Sequence, residues 1–223
     1  RLPGWFPRDS TKGWVHAEYS LLPGSTDSRF RRERRGAKGR TQEIERLVAR
    51  SLRAAVDLEE LGPIALNVDC DILNADGGTR CASITAANLA LRLGVRRLIA
   101  AGICLPKNMR PTEEQRRSGW SPPALSEEEQ MAHEMRVMPN DVAAISVGLI
   151  DGQAYLDLDY NLDSNADVDM NVVKVSNGAF VEVQGTGEES TYQREELDAL
   201  LDMADIGFEA LFEMQKSILH GQE

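Results

Sequence analysis

Residues 63–91 constrain the fold more than any other stretch, because a strand, a glycine turn and a helix follow one another there without a gap. Pro63-Ile64-Ala65-Leu66-Asn67-Val68-Asp69-Cys70-Asp71-Ile72 alternates aliphatic residues and predicts a strand. Ser83-Ile84-Thr85-Ala86-Ala87-Asn88-Leu89-Ala90-Leu91 predicts a helix. Gly77, Gly78, Thr79 and Arg80 lie between them. An oxyanion fits such a place, since free backbone N–H groups, a helix dipole and a guanidinium converge on it. It is not a Walker P-loop, because no G-x-x-x-x-G-K-[ST] pattern occurs. The same residues also read as a Gly-Gly turn with Thr79 or Ser83 capping the helix and Arg80 in solvent.

The 223 residues are ample for a core, and 42% hydrophobic with 27% charged residues is ordinary globular composition. No apolar run approaches the ~20 residues of a membrane span, and no signal-peptide pattern appears. The chain begins with Arg1 rather than Met, which leads us to expect an N-terminal segment ahead of it. Cys70, Cys81 and Cys104 are an odd set without C-x-x-C spacing, which argues against a disulfide framework or a structural zinc and for reduced thiols in the cytoplasm. His16, His133 and His220 are scattered, so no local nucleophile–base motif forms.

A net charge of −11 argues against a generic nucleic-acid binder, but the distribution points the other way. Residues 29–40 hold seven cations in twelve positions, more than a quarter of all 25 Lys and Arg. Such a run is either a solvated loop or a strip that tracks a phosphate backbone.

In chain order, residues 1–13 read as irregular and Trp14–Ser20 as a strand. A helix is expected from Thr41 as cap, with Gln42, Glu43 and Glu45 in its first turn and Ile44, Leu47, Val48, Leu52, Ala55 and Val56 as its apolar stripe. Gly94 is expected to interrupt the helix after the glycine turn. Residues 104–140, with five prolines, read as an excursion carrying one short helix over 126–135 capped by Ser126. Asp151-Gly152 and Asn177-Gly178 each predict a hairpin, the first between 142–150 and 154–160, the second between 170–175 and 179–183. A final helix over roughly 193–218, capped by Ser190 or Thr191, closes the chain. The interleaving predicts one α+β domain over 1–223, with helices on a mixed sheet. Between the hairpins, Asp163, Asp167 and Asp169 sit in one connection, where they can hold Mg²⁺, act as general acid and base, or simply cap turns.

Several long motifs resemble bacterial ribonuclease PH: Gly39-Arg40-Thr41-Gln42-Glu43-Ile44-Glu45-Arg46-Leu47, Asp69 to Arg80, Asp169-Met170-Asn171-Val172-Val173 and Val181-Glu182-Val183-Gln184-Gly185-Thr186. Trp14–Tyr19 and Arg194–Leu197 match as well, so the resemblance spans nearly everything outside 104–140. It implies a ribosomal protein S5 domain 2-like fold and a phosphate-dependent 3′→5′ exoribonuclease that trims tRNA precursors and runs backwards from nucleoside diphosphates. It also implies a cytoplasmic homo-hexamer built as a trimer of dimers. Under it, Arg40, Gly78, Thr79 and Arg80 bind phosphate, and Asp163 and Asp169 are the acidic pair, as metal ligands for Mg²⁺ or as proton carriers. Arg29 and Arg32 bind the tRNA.

Three departures stand out. Gly24 occupies the place of a further tRNA-binding arginine. The 104–140 excursion exceeds the usual family loop by on the order of thirty residues. The family's opening strands have no counterpart before Arg1, which would expose a sheet edge. Two other readings stay open: a silent RNA-binding ring subunit of an exosome-like assembly, and a nucleotide enzyme unrelated to RNA. Silent subunits tend to lose residues that this chain keeps at Arg40, Arg80, Asp163 and Asp169, and the second reading leaves the 29–40 strip unexplained.

Overall fold

The computed structural model describes residues 2–7, 9–187 and 190–221, so Arg1 and Arg8 of the segment expected to be irregular lie outside the described residues. The elements run β1 (Trp14–Leu21), α1 (Gly39–Ala55), α2 (Leu58–Leu61), β2 (Ala65–Ile72), α3 (Thr79–Ala100), α4 (Glu113–Arg117), α5 (Glu127–Val137), β3 (Val142–Ile150), β4 (Gln153–Leu156), α6 (Tyr160–Asp163), β5 (Val168–Val175), β6 (Phe180–Gly187) and α7 (Arg194–His220). The mixed pairing of an α+β fold is partitioned between two ladders. β1 and β2 pair in parallel, while β4-β3-β5-β6 form an antiparallel sheet.

β3 decides how the layers stack. Eight of its nine residues are buried, because the strand is covered on both faces, and successive side chains point to opposite sides. Val142 and Ala144 join a core with Ile44, Val48 and Leu52 of α1 and Ile84 and Leu91 of α3. Ala143, Ile145, Val147 and Leu149 join a second core with Leu200, Ala204 and Phe208 of α7. Thr85 of α3 locks the first face by accepting from the Ala144 amide at 3.1 Å and donating to its carbonyl at 3.3 Å.

Local chemistry moves several boundaries. α1 begins at Gly39, not after Thr41, because Glu33 takes over the capping task. Glu33 accepts from the Lys38 amide at 2.8 Å and from the Thr41 hydroxyl at 3.2 Å, so that hydroxyl is already committed. α3 starts at Thr79 behind Gly78, whose φ of 65° suits a residue without Cβ, and runs unbroken through Gly94 to Ala100. The 104–140 excursion holds a 3-10 turn at Lys107–Met109 and two α-helices. The second, α5, has Ser126 as its cap as expected, in a full capping box. Arg92, 5% exposed, anchors the end of the excursion to α3 through Glu134 at 3.1 Å, Asp141 at 2.8 Å and the Met138 carbonyl at 3.0 Å. Asp151 and Gly152 have φ of 51° and 74°, the left-handed pair that a two-residue hairpin needs, but β4 stops at Leu156 and Tyr160 opens α6. At α7 the Ser190 hydroxyl is spent on the Asp167 carbonyl, so the helix starts after Gln193, whose amide donates to Glu196 at 2.6 Å.

Candidate active site

A cleft of about 1090 Å³ opens where the N-termini of α1 and α3 face the start of β5 and the end of β6. Arg40, Gly78, Thr79, Arg80, Asp163 and Asp169 all line it, together with Arg32. Residues separated by up to 137 positions thus share one wall, which neither the glycine turn nor the aspartate connection could reveal alone. Arg29 is exposed and stands outside this lining.

The loop over 76–79 is held from three sides. Gly77 presses on the chain leading into α6: a Cβ there would sit 1.9 Å from the Leu158 carbonyl oxygen, so a side chain is excluded. Asp76 Oδ1 accepts from its neighbour's amide at Gly77 (3.0 Å) and from the Tyr160 amide (2.7 Å), which fastens the loop to the short helix that carries Asp163. The Tyr19 and Thr79 hydroxyls are 3.0 Å apart, which fixes the first residue of α3 from the parallel ladder.

Arg80 does not sit free in solvent, as one reading of the turn had it. Its side chain is 24% exposed, and Nη2 donates to Glu43 at 2.9 Å. Glu43 thereby orients the guanidinium across α1 and α3, while Arg80 Nε remains buried without a partner. Cys81 lies immediately behind. Burial, then the Asp169 charge, pushes its thiol well above the usual range, so it stays protonated and donates to Asn171 Oδ1 at 3.0 Å. A buried, raised thiol of this kind is poorly suited to act as a nucleophile.

Asp169 sits on β5 opposite Gly148 and Thr186, and Asp163 ends α6. Among the described residues no group of three or more His, Cys, Asp and Glu side chains gathers around one point. An all-protein metal cage is thus missing from the described residues. Two carboxylates lining one cleft with the glycine turn do fit Mg²⁺, which is commonly held by one or two carboxylates and completed by substrate phosphates.

Tyr19, Glu43, Asp76 and Ser146 escaped the sequence reading as site residues. Ser146 had a visible signal, since it is the single polar side chain within Val142–Ile150. Asp76 precedes the glycine pair directly, and Glu43 lies one turn after Arg40, but their partners lie across the fold.

Comparison with known proteins follows the same geometry. Residues 3–94 match the model of the 3′ exoribonuclease family, domain 1, and residues 141–207 match its domain 2. Ribonuclease PH of Rhodopirellula baltica is 48% identical over 219 residues, covering 98% of this chain and 79% of that protein. Ribonuclease PH of Corynebacterium efficiens is 46% identical over 216 residues, covering 96% and 76%. Rice Rrp46 shares the fold with a TM-score of 0.65 at 11% identity, over 96% of this chain and 78% of that one. An Archaeoglobus fulgidus exosome with RNA bound to the active site gives 0.57 at 20% identity, over 88% and 69%. The architecture is therefore the ribosomal protein S5 domain 2-like α+β fold that the motifs implied. With nearly half of its residues identical to those relatives, and both family models matched in order, the chain belongs to the ribonuclease PH family of 3′ exoribonucleases.

Proposed function

We propose that this chain is a phosphate-dependent 3′→5′ exoribonuclease that trims tRNA precursors, releases nucleoside 5′-diphosphates and runs in reverse as a nucleotidyltransferase. The observation that carries the reading is one cleft lined at once by an anion loop on a helix N-terminus, an acidic pair and part of a basic strip. An oxygen of hydrogenphosphate attacks the phosphorus of the terminal phosphodiester, the bond to the 3′-oxygen breaks, and that oxygen takes up the proton that the attacking phosphate gives up. Two anions must meet, so the protein's work is neutralisation and alignment. Arg40, Arg80, the Thr79 hydroxyl and the amides behind Gly78 hold the attacking phosphate. Asp163 and Asp169 would hold Mg²⁺, whose charge would offset that of the phosphodiester and the leaving 3′-oxygen. Arg32 at the cleft wall and Arg29 outside it track the RNA backbone. Gly24, which is exposed, stands in place of a further tRNA-binding arginine of the family, so that contact is missing or replaced.

The same reading takes residues 1–223 as a single working domain, because the cleft draws Thr79 and Arg80 from one matched portion and Asp163 and Asp169 from the other. It takes the assembly as a cytoplasmic hexameric ring, in which copies of residues 29–40 add their positive potential against the −11 per chain. Among the described residues no helix is long and apolar enough to cross a membrane. A silent ring subunit remains the rival. A 3′-extended tRNA incubated with and without inorganic phosphate decides between them: shortening with diphosphate release only when phosphate is present supports the enzyme, and RNA binding without shortening supports the silent subunit.

A further inference from the structure

Ser146 is 3% exposed, and its Oγ is a buried polar atom without a hydrogen-bond partner. Buried hydroxyls are rarely left this way, because an unmade bond in a low-dielectric site is costly. Its direction follows from strand parity. Val142 and Ala144 face α3 and α1, so Ser146 shares their face, not the face that meets α7. There it lines the cleft beside Thr79, Arg80 and Asp169. A Cβ built on Gly78, the residue that caps α3, would find Ser146 Oγ as its nearest atom at 3.4 Å and Asp157 Oδ1 next at 3.9 Å. The hydroxyl therefore lies directly under the turn whose amides form the oxyanion site. The nearby Arg80 Nε is a second buried donor without a partner, although Nη2 of the same group is bonded to Glu43.

We propose that Ser146 is a phosphate ligand, the floor of the oxyanion site, donating its O–H to the attacking phosphate while Arg80 Nε donates from the side. The inference rests on the phosphorolytic reading above and adds a residue to it. In the reverse reaction the same hydroxyl meets the terminal phosphate of the nucleoside diphosphate. The oxyanion it binds is free phosphate, not the scissile phosphodiester of the RNA.

The test compares the full chain with Ser146→Ala, using calorimetric titration with inorganic phosphate and initial rates on a 3′-extended tRNA. Loss of one hydroxyl donor to a charged acceptor should weaken phosphate binding and raise the KM for phosphate on the order of ten- to a hundredfold. The KM for RNA should not move. Ser146→Cys keeps the volume but donates weakly and should fall between the two; it decides in the same way if Ser146→Ala fails to fold. Unchanged phosphate affinity in a folded variant overturns the proposal, as it would for a hydroxyl spent on water or on Asp157. A raised KM for RNA alone overturns it too, since the hydroxyl would then face the phosphodiester. If the wild-type chain proves not to cleave RNA with phosphate, the functional reading fails, and the calorimetric comparison still decides whether Ser146 binds the anion.

Discussion

Asp76 joins the two halves of the site, and removing its carboxylate should separate them. In the native chain its Oδ1 accepts from the amides of Gly77 and Tyr160 at 3.0 and 2.7 Å. Asp76→Ala leaves both donors to solvent. With both groups near the surface, the two bonds together are worth about 1.5 kcal/mol, or roughly 3–6 °C in melting temperature for a chain of this length. The functional loss should be larger than the loss of stability. Asp163 lies three residues beyond Tyr160 on α6, so slackening that tether displaces an acidic group relative to the anion loop. A misplacement of about 1 Å can cost on the order of a hundredfold in rate. Asp76→Asn retains an acceptor oxygen of the same reach and should recover most of both losses. Thermal melting and steady-state phosphorolysis of the three proteins measure this. If Asn is as impaired as Ala, the charge matters and not the tether; if Ala melts and turns over like the wild type, the stitching argument is wrong.

Arg80→Ala should raise the KM for phosphate on the order of a hundredfold or more, because a charge-assisted donor is lost, while its part-exposed pair with Glu43 contributes only about 0.5–1 kcal/mol to folding. Full activity at low phosphate would remove it from the anion site. Asp169→Asn should cut turnover far more than RNA affinity, whereas Arg29→Ala with Arg32→Ala should weaken RNA binding and flatten its salt dependence. Equal loss of RNA binding in both proteins would make Asp169 a structural residue. Light scattering should give six copies; a monomer trimming at full rate would refute the ring.

Much of this was legible because periodicity and turn chemistry are local. The α1 stripe, the turns of both glycine hairpins and the Ser126 cap follow the sequence, since each depends on neighbours within a few positions, although the first hairpin's return strand ends early at Leu156. Caps at Thr41 and Ser190 were misread for one shared reason. Each hydroxyl had a distant competitor, Glu33 and the Asp167 carbonyl, that propensity cannot see. The helix after the glycine turn ran past Gly94 because its flanks are buried against the sheet and α5, and packing outweighs a cost of about 1 kcal/mol for glycine. Of the site, motif-bearing residues were visible and their supports were not. Tyr19, Glu43 and Asp76 act through partners 60, 37 and 84 residues away.

The two-faced burial of β3 also bears on which length changes the chain can tolerate. Inserting or deleting one residue inside Val142–Ile150 would exchange its faces, sending the Ser146 hydroxyl toward Phe208 and Leu200 and an isoleucine into the anion cleft. Core and chemistry would fail together. The excursion just upstream has no such parity to keep: lengthening it shifts no side chain in the sheet, provided Glu134 and Asp141 still reach Arg92. An insertion scan should therefore show a sharp border near Asp141, permissive before α5 and closed after it, so that variation in the size of these proteins is channelled into the prolyl stretch while the strand beside it stays fixed in length.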